Sequence, residues 1–233
     1  MKFSSALISA GSGSLGGIVA SRNSFGQYLR RRAVPINPAS GRQLVIRDAL
    51  IAAVNNWTGV LTAPQRAAWA EYARNVPMTD ALGNSINLGG QQMYIRSFVS
   101  GTQVGATLTS FATAPTVFDL GDFTTPVPTW THTSGLSLAF TAGDPWAIAS
   151  GGFMAMYMGL PQNPSRSFFK GPFRYIGKIS GAVSPPTSPN VTAASALPWP
   201  IPAATAVWLG IRVIQPDGRL SSVRVIGPST VGA

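Results

Sequence analysis

The chain has no cysteine and a single histidine, His132. Disulfides and thiolate chemistry are therefore excluded, and any histidine-centred metal site or Ser-His-Asp triad would have to use that one ring. Acids are also few: seven Asp and Glu stand against 17 Lys and Arg, a formal net charge of +10. Charged residues make up only 10% of the chain, against about 25% in ordinary soluble domains. Much of the surface must then be Ser, Thr, Asn, Gln, Gly and small apolar groups, which suits permanent contact with other subunits. No window approaches the roughly 18 consecutive apolar residues a spanning helix needs, so no membrane span is expected. The start, M-K-F-S-S-A-L-I-S-A, carries an apolar run too short and Ser-broken for a secretory signal.

What is present points to a folded protein. At 233 residues and 45% hydrophobic content the chain can hold one large domain or two small ones around a real core. Glycine (25) and proline (19) are abundant, favouring turns, arms and short strands over long helices. The best-specified stretch is W-T-G-V-L-T-A-P-Q-R-A-A-W-A-E-Y-A-R, Trp57 to Arg74. Thr62 with Gln65 three residues on reads as a capping box, and Pro64 sits in the first turn, where its missing N–H costs nothing. Trp69 and Tyr72 then share one helix face.

An earlier helix is expected from Ser40 to Trp57, with Leu44, Val45, Ile51, Val54 and Trp57 at three-to-four spacing. The two helices form a hairpin whose Trp57 and Trp69 are read as core rather than as exposed stacking platforms. Val76–Thr79 and Ser85–Leu88, joined through Asp80 to Asn84, read as a small β-hairpin. A third helix is expected over Gln91–Val99, with Tyr94, Ile95 and Phe98 on one face. From Ser100 to Pro128 the composition shifts to Thr, Gly, Ala and Pro, the mark of a boundary. Beyond it come seven or so short strands; Gln215-Pro-Asp-Gly218 is a strong turn between the last two.

The expected fold class is therefore α+β: an N-terminal extended arm with a small helical hairpin domain, followed by a C-terminal immunoglobulin/fibronectin III-like β-sandwich. The corresponding segments are 1–39 (basic, Gly-rich arm), 40–104 (helices and small hairpin), 105–126 (linker) and 127–233 (sandwich). The arm has too few large side chains to make its own core and needs a partner surface; for its first dozen residues a flexible tail is an equal alternative.

Chemistry is thin. Gly11, Gly13 and Gly16 match G-x-G-x-x-G, but no helix-forming segment follows and the next acid, Asp48, lies beyond the roughly 20-residue spacing of a dinucleotide site. Asp119 and Asp122, with Asp144 the close acids of the second half, are too few for calcium, and the two loop aspartates are read as turn formers. No catalytic, cofactor-binding or metal residue is nominated, no cofactor is expected, and an enzyme is the least expected class. The one electrostatic feature is the run of cations before Asp48: Lys2, Arg22, Arg30, Arg31, Arg32, Arg42 and Arg47, with Tyr28 and Phe25 beside the triple. Guanidinium groups pair bidentately with phosphate or carboxylate. The preferred partner is an acidic neighbouring subunit, with nucleic acid as the alternative, because no nucleic-acid module accompanies the charges. The expected structural core is Trp57, Trp69, Tyr72, Tyr94 and Phe98.

The order G-S-L-G-G-I-V-A-S-R-N-S-F-G-Q-Y-L-R, I-N-P-A-S-G-R-Q-L-V-I-R, W-T-G-V-L-T-A-P-Q-R-A-A-W and D-A-L-G-N-S-I-N-L-G-G-Q-Q-M-Y-I-R resembles a family of largely uncharacterised proteins of tailed bacteriophages and prophages. The resemblance spans roughly residues 11 to 100 and brings no catalytic residues with it. It implies a virion structural protein: a minor capsid, decoration or head-to-tail connector subunit, joined through its arm to capsid, portal or tail proteins and oligomeric in the particle. Two alternatives are a tail-fibre or host-surface binding module, using Trp130, Trp146 or Trp199, and a virion DNA-binding protein using the arginine arm.

Overall fold

The computed structural model describes residues 13–23, 26–34, 36–79, 84–106 and 111–233. The apolar start with Gly11, together with Phe25 and the turn Asp80–Gly83, lies outside the described residues. Two units are distinguished, residues 1–40 and 41–233.

In the first unit three antiparallel strands form a sheet in the order β1-β2-β3: β1 (Gly13–Leu15), β2 (Ile18–Asn23) and β3 (Gly26–Arg31). Gly16, at φ 58°, occupies the left-handed region that the β1–β2 turn requires. No described residue between 13 and 40 is buried. The strands pair through their backbones, and among the described residues no side chain forms an apolar core within the sheet.

The second unit begins with α1 (Gly41–Asn55), which runs into a single wide turn of π-helix at Asn56–Val60. α2 (Ala63–Asn75) starts where the capping pattern predicts: the Thr62 N–H donates to Gln65 Oε1 at 2.8 Å, and the Thr62 hydroxyl reaches the same oxygen at 3.0 Å. The strands β4 (Met78–Thr79) and β5 (Ser85–Ile86) pair antiparallel, and α3 (Gly90–Val104) is longer at its C-terminal end than the sequence pattern indicates. α3 packs against both α1 and α2.

These helices enclose Trp69, Tyr72, Met93, Tyr94 and Phe98, with Trp57 partly buried against them. Trp69 and Tyr94 meet edge to face at 5.5 Å, and the Trp69 indole N–H donates to the Phe111 carbonyl at 3.1 Å. Phe111 reaches this position because α3 carries glycine at 101, where a Cβ would come within 2.2 Å of the ring. Phe111 and Ala114 thus enter the helical cluster and Phe123 the sheet cluster, so the segment 105–126 contributes side chains to both.

The remaining strands are β6 (Val127–Thr131), β7 (Gly135–Ala139), β8 (Phe153–Gly159), β9 (Phe173–Ser180), β10 (Asn190–Thr192), β11 (Ala206–Ile214) and β12 (Arg224–Gly232). A one-turn helix, α4 (Pro145–Ile148), precedes β8. The strands join in one seven-stranded mixed sheet, ordered β10-β7-β6-β12-β11-β8-β9, so the fold is α+β. All its pairings are antiparallel except β6 with β12, which are parallel over only two residue pairs, Val231↔Trp130 and Gly232↔Thr131. Trp130, Leu136 and Leu138 share one cluster with Met154, Met156 and Met158 of β8 and Val207, Leu209 and Ile211 of β11, so the sheet curls over its own core. The apolar run of β8 is buried on both faces: its methionines enter that core, while Phe153 and Ala155 turn toward Val104 of α3.

α1 departs from expectation in its facing. Its large periodic residues Leu44, Val45, Ile51 and Val54 are exposed, and only Ala49 and Ala53 are buried. Small residues let α1 approach α3 closely, which turns the large ones outward. Replacing Trp69 with Ala should cost about 3–5 kcal/mol of stability, whereas Ile51→Ser should change it by no more than about 0.5 kcal/mol. Urea unfolding measures both; a multi-kcal/mol loss for Ile51→Ser would mean that α1 faces the other way.

Candidate functional site

α1 supplies the first candidate surface. Ile46, Leu50 and Val54 follow one another at four-residue spacing, and Leu44 and Ile51 lie beside them. All five are exposed, Ile51 at 58% and Leu50 at 46%. Single exposed apolar residues are ordinary, but here five lie along one helix. Burying a Leu or Ile side chain completely is worth about 1.5–3 kcal/mol, and these are about half exposed, so each offers roughly 1 kcal/mol to a partner.

The basic residues nominated from the sequence do not gather into one patch. Tyr28 pairs with Ser21, Arg30 with Val19 and Arg31 with Ile18, so alternation along β3 sends Arg30 and Arg31 to opposite faces of the three-stranded sheet. Arg22 occupies the position opposite Gln27 on β2, and Arg32 follows the strand, its N–H bonded to the Gly17 carbonyl at 2.8 Å. Arg30, Arg31 and Arg32 are all exposed. Arg42 and Arg47 belong to α1 in the second unit; Arg42 lies over the Tyr175 ring at 4.7 Å.

The acids are used to fix turns. Arg219 holds Asp119 and Asp217, each at 2.7 Å, and Arg224 holds Asp122 at 3.1 Å. Asp119 also accepts the Gly121 N–H at 2.7 Å, and Asp122 accepts the Phe123 N–H at 2.8 Å, the turn-forming geometry expected of them. Asp144 accepts from the Thr124 hydroxyl at 2.9 Å and the Trp146 indole at 3.3 Å. Among the described residues no three His, Cys, Asp or Glu side chains come together as a metal-binding group. His132 Nδ1 lies 2.9 Å from the Ile201 carbonyl oxygen. Trp130 and Trp146 are buried in the sheet core and present no face to a ligand, while Trp199 is partly exposed with Arg174 over it at 4.5 Å.

Two arginines that the sequence reading passed over hold a different position. Arg96 on α3 lies within the field of Arg212 on β11 where the helix meets the sheet, and neither has a carboxylate partner among the described residues. Arg96 Nη2 donates to the carbonyls of Leu220 and Ser221, each at 3.2 Å. Arg212 Nη1 reaches Ser100 Oγ at 3.4 Å. Burial, then the like charge of Arg212, pushes the Arg96 guanidinium down to about 10. The available signal was Arg212 itself, a lone charge inside A-V-W-L-G-I-R-V-I, a strand otherwise wholly buried.

Burial also pushes the Tyr72 phenol up to about 12, against the opposing pull of Arg96 and Arg219. A raised folded-state value means that Tyr72 contributes stability below its unfolded value near 10, lost as pH climbs toward 12. The depressed Arg96 acts oppositely over much of the same range, so the clean readout is spectroscopic. Burial raises Tyr94, Tyr157 and Tyr175 as well, so the tyrosinate absorbance of the native protein should rise late, and Tyr72→Phe should remove the part near pH 12; a variant that retains that part would assign it elsewhere.

Comparison of the chain with models of known protein families, with curated proteins and with solved structures yields no match.

Proposed function

We propose that the chain is a structural subunit of a tailed-bacteriophage virion, a minor capsid, decoration or head-to-tail connector protein that holds neighbouring subunits through α1 and its N-terminal segment. The observation that carries this reading is the outward apolar row Ile46, Leu50 and Val54, with Leu44 and Ile51 beside it. A partner that covers it permanently removes the exposure. The three-stranded N-terminal sheet supports the same reading, because strands without a core gain stability by laying onto another surface. The small share of charged residues (10%) also keeps the desolvation cost of such contacts low.

The seven-stranded sheet is read within this proposal as a fibronectin III or immunoglobulin-like sandwich. One layer is β10-β7-β6 and the other β12-β11-β8-β9, the two meeting only at the short parallel pairing of β6 with β12. The core shared between Leu136 or Leu138 and the β8 methionines supports this division. A second reading, contact with packaged nucleic acid, is favoured by the exposure of Arg30, Arg31 and Arg32.

Cryo-electron microscopy of particles assembled with the full chain tests the proposal, with density for α1 against a neighbouring subunit as the expected result. The double variant Leu50→Gln, Ile51→Gln should stay folded by circular dichroism yet enter particles at least about tenfold less, a loss of about 1.4 kcal/mol at each contact. Deletion of residues 1–34 should likewise leave a folded protein that no longer joins particles. Unchanged incorporation of both would sink the structural reading.

A further inference from the structure

The contact between α3 and the outer face of β11 brings Arg96 of the helix into the field of Arg212 of the strand, whose Nη1 reaches Ser100 of the same helix. Arg219, also half-buried, is neutralised on both sides by Asp119 and Asp217 at 2.7 Å. Arg96 and Arg212 receive no carboxylate among the described residues, although burial works against both charges and the charge of Arg212 works against that of Arg96. Arg96 is held by two carbonyl oxygens, each a partial charge only. The Arg212 Nε–H is fully buried and has no hydrogen-bond partner, one of two such side-chain atoms among the described residues. An orphaned, buried, charged donor is costly, and a group that accepts from it while neutralising the second guanidinium removes both costs together.

We propose that Arg96 and Arg212 bind a single small oxyanion of the phosphate or sulfate type at the α3–β11 contact, with the Arg212 Nε–H as one of its donors. Guanidinium forks match the oxygen geometry of such an anion, and a dianion balances two cations where a carboxylate balances one. Ser100 Oγ, 3.4 Å from Arg212 Nη1, adds a hydroxyl beside the pair. The anion would pin α3 to β11 at the same seam where Arg96 already holds the Leu220–Ser221 backbone and Ser97 holds the Gly218 carbonyl at 2.7 Å. This site is independent of the α1 surface, so its failure leaves the virion reading untouched.

The test is a thermal-unfolding series on the full chain in sodium phosphate, sodium sulfate, sodium acetate and sodium chloride at matched ionic strength. Phosphate and sulfate should raise Tm with the logarithm of their concentration above the dissociation constant, roughly 3–6 °C at ten times that constant, and chloride should not. Arg212→Gln should abolish the phosphate-dependent part. Should that variant fail to fold, phosphorus NMR on the unaltered chain decides: the inorganic phosphate line should broaden and be restored by sulfate but not by chloride. An equal rise in chloride, a rise in acetate matching phosphate, an unbroadened phosphate line, or a phosphate effect surviving in folded Arg212→Gln would each overturn the proposal.

Discussion

The second unit depends on α3 serving two cores at once. On one side Met93, Tyr94 and Phe98 pack among Trp69 and Tyr72, while on the other Val104 meets Phe153, Ala155 and Ile214 on the sheet. Small side chains make this possible, because Ser97, Ser100 and Gly101 let α3 lie close to its neighbours. Ser97 donates to the carbonyl of Gly218, and Gly218 needs its positive φ of 93° to close the turn between β11 and the strand that follows. Helices and sheet are thus fastened by backbone as well as by apolar contact, which explains why residues 41–233 behave as one unit.

The shortage of acids shapes the electrostatics of that arrangement. With seven carboxylates for 17 cations, those near the α2–turn region go to Arg219 and Arg224, where they also hold loop backbone. Other cations turn to π faces: Arg42 to Tyr175, Arg174 to Trp199 and Lys178 to Phe153, with Lys178 Nζ also donating to the Val104 carbonyl. Arg96 and Arg212 find neither a carboxylate nor an aromatic face among the described residues, and burial works against both charges.

Much of the element content was legible in the sequence, because it rests on local physics. The Thr62–Gln65 cap, the three-to-four spacing of Trp69 with Tyr72, and the Gln215–Gly218 turn each act within a few residues, and each appears where the pattern puts it. The facing of α1 was not legible. Its period of large apolar residues marks a helix correctly, yet a period does not say which side faces a neighbour. That was decided by α3, whose surface accepts Ala49 and Ala53 rather than Leu44 and Ile51. The candidate surfaces follow the same division. The arginine run of β3 stood out in the sequence, but strand alternation splits it between two faces, while the Arg96–Arg212 pair, 116 positions apart by their numbering, leaves no local trace.

The sequence by itself determined where helices and turns begin, that acids would be scarce, and that thiol chemistry has no place here, since these follow from composition and from contacts within one turn of chain. Only the tertiary structure decided which apolar residues stay exposed and which like charges meet, because both depend on surfaces brought together from distant parts of the chain, where packing outweighs local preference.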